Sequence, residues 1–333
     1  MKIAIVKLSA LGDIIHSMIV LQFIKRHFQD IKIDWVVEEG YKDLLESHPD
    51  VNKVHVVNIK KAKQKKSIFI FFNELRRLHT FGKYDLVIDM QGLIKSAIVA
   101  RLIPSPITLG FDKNSIRERV ASIFYNQTFK YSYDENIIKR NFELIKFALD
   151  LPFDSEEITH KLPFLFPSHK NLTSSFSNLK KNIILILGAS HSSKRYPVEG
   201  FAKLTELLDA NYLIIWGDSN EKIMADELKS KDPSLNVCEK LSIGSLVSLI
   251  SQADLVIGPD TGPTHIAWAL NVASITLFGP TPGYRNTYTT KINRVIESKS
   301  KVNPLKIDRN DFSIKEINVQ EIVKVSQELL GKK

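Results

Sequence analysis

A chain of 333 residues with 44% hydrophobic and 25% charged side chains has the proportions of a cored globular protein, which excludes a disordered or fibrous chain and leaves room for two domains. Its single cysteine, Cys238, excludes an internal disulfide, and no apolar run approaches the ~18–20 residues of a membrane helix. The net charge of +9 is concentrated, because residues 53–119 hold fourteen basic and five acidic side chains. Such a concentration reads either as a solvated face or as a surface for an anionic partner: a membrane, a phosphorylated acceptor or nucleic acid. Lys7, Asp13 and His16 interrupt any signal-peptide core, so a cytoplasmic protein is expected.

Short β-rich runs alternate with longer helical patterns, the signature of parallel sheets wound with helices. The first strand, residues 2–6, runs into Lys7-Leu8-Ser9-Ala10-Leu11-Gly12-Asp13-Ile14-Ile15-His16 and a helix over 13–28. One glycine does not make a dinucleotide fingerprint, and no Walker-type loop occurs, which disfavours a nicotinamide dehydrogenase or a P-loop kinase. Asp13 stands where a helix-capping acid would stand, and His16 reads as a packing residue. Strands follow at 33–37 and 54–58. Next comes the lysine-rich stretch with Lys60, Lys61, Lys63, Lys65 and Lys66, leading into Ile68-Phe69-Ile70-Phe71-Phe72. That stretch suits either the headgroup region of an anionic membrane or a buried strand or helix face with a solvated rim. A strand at 85–89, a helix at 91–102 and a strand at 107–110 complete the first half.

Residues 151–181, with Pro152, Pro163, Pro167 and a Thr/Ser-rich run, read as a connecting segment. The second half repeats the alternation, with strands at 182–188, 212–216, 236–238, 254–258 and 273–278 and helices at 198–209 and 243–253. Ligands of such sheets bind beyond the carboxyl ends of the strands, so the loops there matter most. One is Gly188-Ala189-Ser190-His191-Ser192-Ser193-Lys194, whose hydroxyls and lysine could hold a diphosphate, although serines are common in turns. Glu221 follows the next strand as either a ribose-binding acid or an exposed first-turn glutamate. Gly258-Pro259-Asp260-Thr261-Gly262-Pro263-Thr264-His265 opens a helix whose free N–H groups form an anion site, with simple capping as the alternative. No metal-ligand spacing is present, and no Asp-x-Asp triplet of the kind that seats a divalent ion in sugar-nucleotide transferases. Residues 314–330 form an amphipathic helix.

At these loops the chain resembles the bacterial lipopolysaccharide heptosyltransferases. The matching stretches are residues 7–16, 85–97 (Asp-Leu-Val-Ile-Asp-Met-Gln-Gly-Leu-Ile-Lys-Ser-Ala), 115–126, 190–197 and 260–265, with the block at Gln91-Gly92-Leu93 favouring the type I branch. The resemblance implies an α/β chain of the GT-B fold, two Rossmann-like parallel-sheet domains facing a central cleft. It places the acceptor on residues 1–165 and ADP-heptose on 166–313, and residues 314–333 are expected to form a C-terminal helix packing back toward the N-terminal domain. The implied reaction is inverting transfer of L-glycero-D-manno-heptose from its ADP derivative to the first Kdo of Kdo2-lipid A, with no cofactor and no metal. Asp13 then matches the general base and Lys194 the lysine on the diphosphate and sugar. Ala189, Ser190, Glu221, Leu241, Asp260, Thr261, Gly262 and His265 match the donor-binding positions. Ser9, Gly12, Lys60, Lys61, Gln91 and Arg117 fall where the acceptor is held. Relatives commonly carry a second hydroxyl where Ala189 stands. The implied partners are the nucleotide donor, Kdo2-lipid A and the anionic inner membrane, with the protein a monomer on its cytoplasmic face and no nucleic acid bound. The competing readings are a type II or III enzyme acting on a heptose acceptor and a non-catalytic protein that binds anionic membranes.

Overall fold

Runs of Ile, Val and Leu such as Ile3-Ala4-Ile5-Val6 are buried along their whole length, which is what a parallel strand covered by helices on both faces requires. The computed structural model describes residues 1–59, 61, 65, 68–167 and 175–331. Within it the chain divides into two units, Met1–Phe164 and Leu165–Lys333.

The first unit runs β1 (Lys2–Val6), α1 (Leu11–Met18), α2 (Val20–His27), β2 (Lys32–Glu38), α3 (Asp43–Glu46), β3 (Lys53–Val57), α4 (Ile68–Leu78), β4 (Leu86–Asp89), α5 (Ile94–Leu102), β5 (Ile107–Phe111), β6 (Gln127–Phe129) and α6 (Ile137–Leu149). Among the described residues its sheet has six parallel strands in the order β3-β2-β1-β4-β5-β6. The chain winds outward from β1 in one direction and returns to start the other half at β4. The loops after β1 and β4 therefore part at the switch point, where this class of sheet opens a crevice.

Toward the amino ends of the same strands sits a buried polar knot. The Tyr84 hydroxyl donates to Asp34 Oδ2 at 2.7 Å, and Lys2 Nζ and His55 Nε2 lie 3.1 and 3.3 Å from that oxygen. Burial alone would raise the Asp34 carboxyl; the bonds from His55, Tyr84 and Lys2 and the Lys2 charge bring it down to about 2.

The second unit runs β7 (Asn182–Ile186), α7 (Val198–Leu207), β8 (Asn211–Ile215), α8 (Ser219–Lys231), β9 (Asn236–Val237), α9 (Ile243–Ile250), β10 (Leu255–Pro259), α10 (Gly262–Ala269), β11 (Ser274–Phe278), α11 (Gly283–Asn286), β12 (Asn293–Glu297) and α12 (Val319–Leu329). Its described sheet has the order β12-β11-β10-β7-β8-β9. Counted from its own first strand, this is the order of the first unit, with the switch point between β7 and β10.

The last helix belongs to the second unit. Ile322 and Val323 are buried in one core with Ile183, Phe201 and Ile275, and the Tyr196 hydroxyl, just before α7, donates to the Ile317 carbonyl at 3.0 Å. Within this unit α12 packs on α7 and on β11 and β12.

Other expectations shift locally. The helix over 13–28 is divided at Ile19 into α1 and α2. Residues 68–72 open a helix, α4, on which Phe69 and Phe72 are 74% and 56% exposed, so those two rings are not buried. Strands β6 and β12 were not anticipated, since Gln127-Thr128-Phe129 is too short and Asn293-Arg294 too polar to stand out. Among the described residues no helix is long and apolar enough to cross a membrane.

Candidate functional site

In the first unit the switch-point loops are tied to each other by side chains. Gln91 Oε1 accepts from Leu8 N at 2.8 Å and Ser9 N at 3.4 Å, and Lys7 Nζ donates to the Met90 carbonyl at 3.0 Å. The loop after β1 is thus pinned to the loop after β4. Asp13, exposed in the first turn of α1, accepts from Ala10 N at 3.2 Å, as an acid near a helix N-terminus does. Its charge reaches Tyr41, whose phenol is pushed up by burial, then by Glu38 and Asp13. Gly12 is half-buried in the same turn.

Lys95, in the first turn of α5, donates to Ser9 Oγ at 3.1 Å. Arg117 is exposed, and its neighbours place it at this end of the sheet. Ile116 packs under Gly92, where a Cβ would come 2.8 Å from its side chain, and Glu118 accepts from Ile94 N at 2.8 Å. Ser9, Gly12, Asp13, Gln91 and Arg117 therefore gather at one end, and Lys95 joins them as a cation that the sequence reading did not single out. Lys61 is exposed between β3 and α4, and Lys60 lies outside the described residues.

Asp89, the last residue of β4, is completely buried. Its Oδ1 accepts from Gln91 N at 2.8 Å and Gly92 N at 3.3 Å; its Oδ2 lies 2.8 Å from Ser96 Oγ and accepts from the Tyr125 hydroxyl at 2.7 Å. Burial pushes this carboxyl up from its ordinary value, although those hydrogen bonds pull the other way.

In the second unit the loops after β7 and β10 meet through an ion pair. Lys194 Nζ lies 2.7 Å from Asp260 Oδ2, and His265 Nε2 lies 3.1 Å from Oδ1. Thr281 Oγ1 donates to Asp260 Oδ2 at 2.9 Å, and Asn286 Nδ2 lies 3.3 Å from the same oxygen. Burial opposes ionisation, but the charges and hydrogen bonds of Lys194 and His265 outweigh it and hold the carboxyl well below the usual carboxylate range.

Thr261 precedes α10 without capping it through its side chain, and Gly262 and Pro263 form the first turn. Backbone N–H groups there meet an anion well, with a lysine alongside. Ala189 is buried and its carbonyl accepts from Arg195 Nε at 3.3 Å and Nη2 at 3.2 Å, while Ser190 is exposed. His191 is pushed down by burial and by the charges of Arg309 and Lys194, so the loop is electropositive.

Glu221, after β8, accepts from Gly217 N at 2.6 Å and lies against Gly188, where a Cβ would come 1.9 Å from Glu221 Oε1. Only glycine lets that carboxylate rest against the end of β7. Leu241 is half-buried just before α9. The structure thus brings Lys194, Asp260 and His265 into contact, sets Glu221 against the start of the same loop, and adds Thr281, Asn286 and Arg309. These three were missed. The usable signal for the first two was position alone, since Thr281-Pro282-Gly283-Tyr284-Arg285-Asn286 closely follows the carboxyl end of β11. Among the described residues no group of three or more His, Cys, Asp or Glu could hold a metal ion.

These features have counterparts in known proteins. The profile of glycosyltransferase family 9 (heptosyltransferase) matches residues 73–309. Lipopolysaccharide heptosyltransferase 1 of Campylobacter coli is 38% identical, with 99% of each chain covered, and that of Pseudomonas aeruginosa is 30% identical over 86% of this chain and 81% of its own. The E. coli heptosyltransferase WaaC, solved with ADP, superposes with a TM-score of 0.79 at 25% identity, covering 99% of this chain and 100% of its own. Two parallel-sheet units of this kind are the GT-B architecture. The chain belongs to glycosyltransferase family 9, the heptosyltransferases.

Proposed function

We propose that the chain transfers L-glycero-D-manno-heptose from ADP-heptose to the first Kdo of Kdo2-lipid A, with inversion at the anomeric carbon. The activity is that of a lipopolysaccharide heptosyltransferase 1, and the observation that carries it is the 38% identity to the Campylobacter coli enzyme over the whole of both chains. Asp13 takes the proton of the attacking Kdo hydroxyl; the oxygen bonds to the anomeric carbon as the bond to the diphosphate breaks and ADP leaves. Lys194 and the N-terminus of α10 counter the charge that develops on the leaving group. Ser190, Thr261, Gly262 and His265 line the phosphates and the sugar, Glu221 accepts from the ribose hydroxyls, and the Leu241 backbone meets adenine. Ser9, Lys95 and Arg117 face the carboxylates and phosphates of the acceptor.

No resident metal or cofactor takes part in this scheme, since fixed cations and helix N–H groups supply the electrostatics. The acceptor is lipid-borne, and the basic stretch with the exposed Phe69 and Phe72 suits a protein that rests on the cytoplasmic face of an anionic inner membrane. The test is ADP release from ADP-heptose with Kdo2-lipid A, with a heptosylated acceptor, and with none, each repeated in EDTA and with anionic vesicles. Release that requires Kdo2-lipid A and persists in EDTA is the expected result. Release with the heptosylated acceptor alone would move the chain to another acceptor class, and loss in EDTA would overturn the metal-free scheme.

A further inference from the structure

Asp89 has the geometry of a part that works on something else. It is buried from solvent at the end of β4, and both of its oxygens are engaged by Gln91 N, Gly92 N, Ser96 Oγ and the Tyr125 hydroxyl. The surroundings are cut to fit it. Gly92 adopts φ +69° over Ile116, and a Cβ on Gly110 would come 2.4 Å from the Tyr125 ring that delivers the hydroxyl. What Asp89 holds is the turn bearing Gln91. The amide oxygen of Gln91 is spent in turn on Leu8 N and Ser9 N, and the next residue, Ala10, donates its N–H to Asp13.

We propose that Asp89 is a positioning residue for Asp13, its carboxylate setting, through Gln91, the backbone of the loop from which the Asp13 side chain acts. This rests on the reading of Asp13 as general base. It also gives Gln91 a task apart from the acceptor: its oxygen points at the protein's own backbone. Donors approach the Asp89 carboxylate, so Asn at 89 would set an NH2 group against them and loosen the turn without touching a substrate. Small displacements of a reacting group are costly in rate and cheap in ground-state binding.

The experiment measures steady-state transfer for D13N, D89N, Q91A and the doubles D13N/D89N and D13N/Q91A. The expected result is a kcat lowered ~10–100-fold in D89N and in Q91A, the KM for ADP-heptose within about twofold of wild type. On the D13N background the same changes should cost almost nothing more, because a residue acting through Asp13 has nothing left to position. Wild-type kcat in D89N and Q91A would overturn the proposal, and so would a full, additive loss on the D13N background. Q91A, a change in a half-buried loop, decides the matter alone if D89N fails to fold. D13N turning over like wild type would instead remove Asp13 as the base, a failure visible in that arm by itself.

Discussion

Asp89 and Asp260 stand at the end of the fourth strand of their respective units, in sheets of identical strand order, and their surroundings treat the two carboxylates in opposite ways. Asp89 is met by neutral groups only, and burial pushes it up; Asp260 is met by Lys194 and His265 together with Thr281 and Asn286, and is pulled down. Neutral donors fix a turn and bring no cation that could meet an anionic ligand. A lysine shared with a carboxylate is a cation that can turn its remaining N–H groups to a phosphate. On the proposed function, the same crevice of the same topology serves as a support for Asp13 in one unit and as an anion site in the other.

The comparison can be broken most sharply at the exposed acid. Asp13→Asn should leave the fold and ADP affinity intact while kcat falls ~10²–10⁴-fold; near-normal turnover would leave the first unit with no chemical role. Next is Lys194→Ala, which strands the buried Asp260 charge. Urea unfolding should show a loss of about 3 kcal/mol, and ADP binding by calorimetry should weaken at the same time. Unchanged ADP affinity would mean that the ion pair is purely structural.

Acid titration of stability separates the two carboxylates by sign. The lowered Asp260 contributes stability that is present above the unfolded carboxyl value of about 3.9 and is lost as pH falls through its folded value. The raised Asp89 takes up its proton more readily folded than unfolded, so acidification brings no such loss. Asp260→Asn should be less stable at neutral pH yet show a shallower decline between about pH 5 and 2, and Asp89→Asn should not flatten that decline. The reverse pattern would undo the contrast. The smallest expected effect is that of Gly188→Ala, where the new Cβ would come 1.9 Å from Glu221 Oε1 and so displace the carboxylate. ADP should bind about tenfold more weakly, the usual scale for a hydrogen bond to a charged group. An unchanged affinity would take Glu221 out of the nucleotide site.

How far the sequence went depended on how unusual each residue was for its place. Ile183 to Leu187 and Ile3 to Val6 could hardly be anything but doubly covered strands. The loop at 260–265 stood out because a carboxylate, a hydroxyl, a glycine and a histidine in six residues are more than a cap requires, whereas the serines around Lys194 are common in turns. Thr281 and Asn286 were invisible for the opposite reason, since they are what any Pro/Gly turn contains. Asp89 was not singled out within the strand at 85–89, because its partner Tyr125 lies 36 residues away. Gln91 was placed at the right end of the sheet, but only coordinates show its amide oxygen pointing at Leu8 and Ser9.

The seat of the final helix has a consequence for synthesis. Every strand of the first unit's described sheet has been made by Phe129, so that unit can close its core while the ribosome is still extending the chain. The second unit has to wait past its last strand, because Ile314, Ile322 and Val323 belong to its core and follow that strand. Until they emerge, the apolar faces of α7, β11 and β12 stay uncovered. During that interval the nascent chain carries one finished unit and one sticky one, which is the span in which a chaperone would find something to hold.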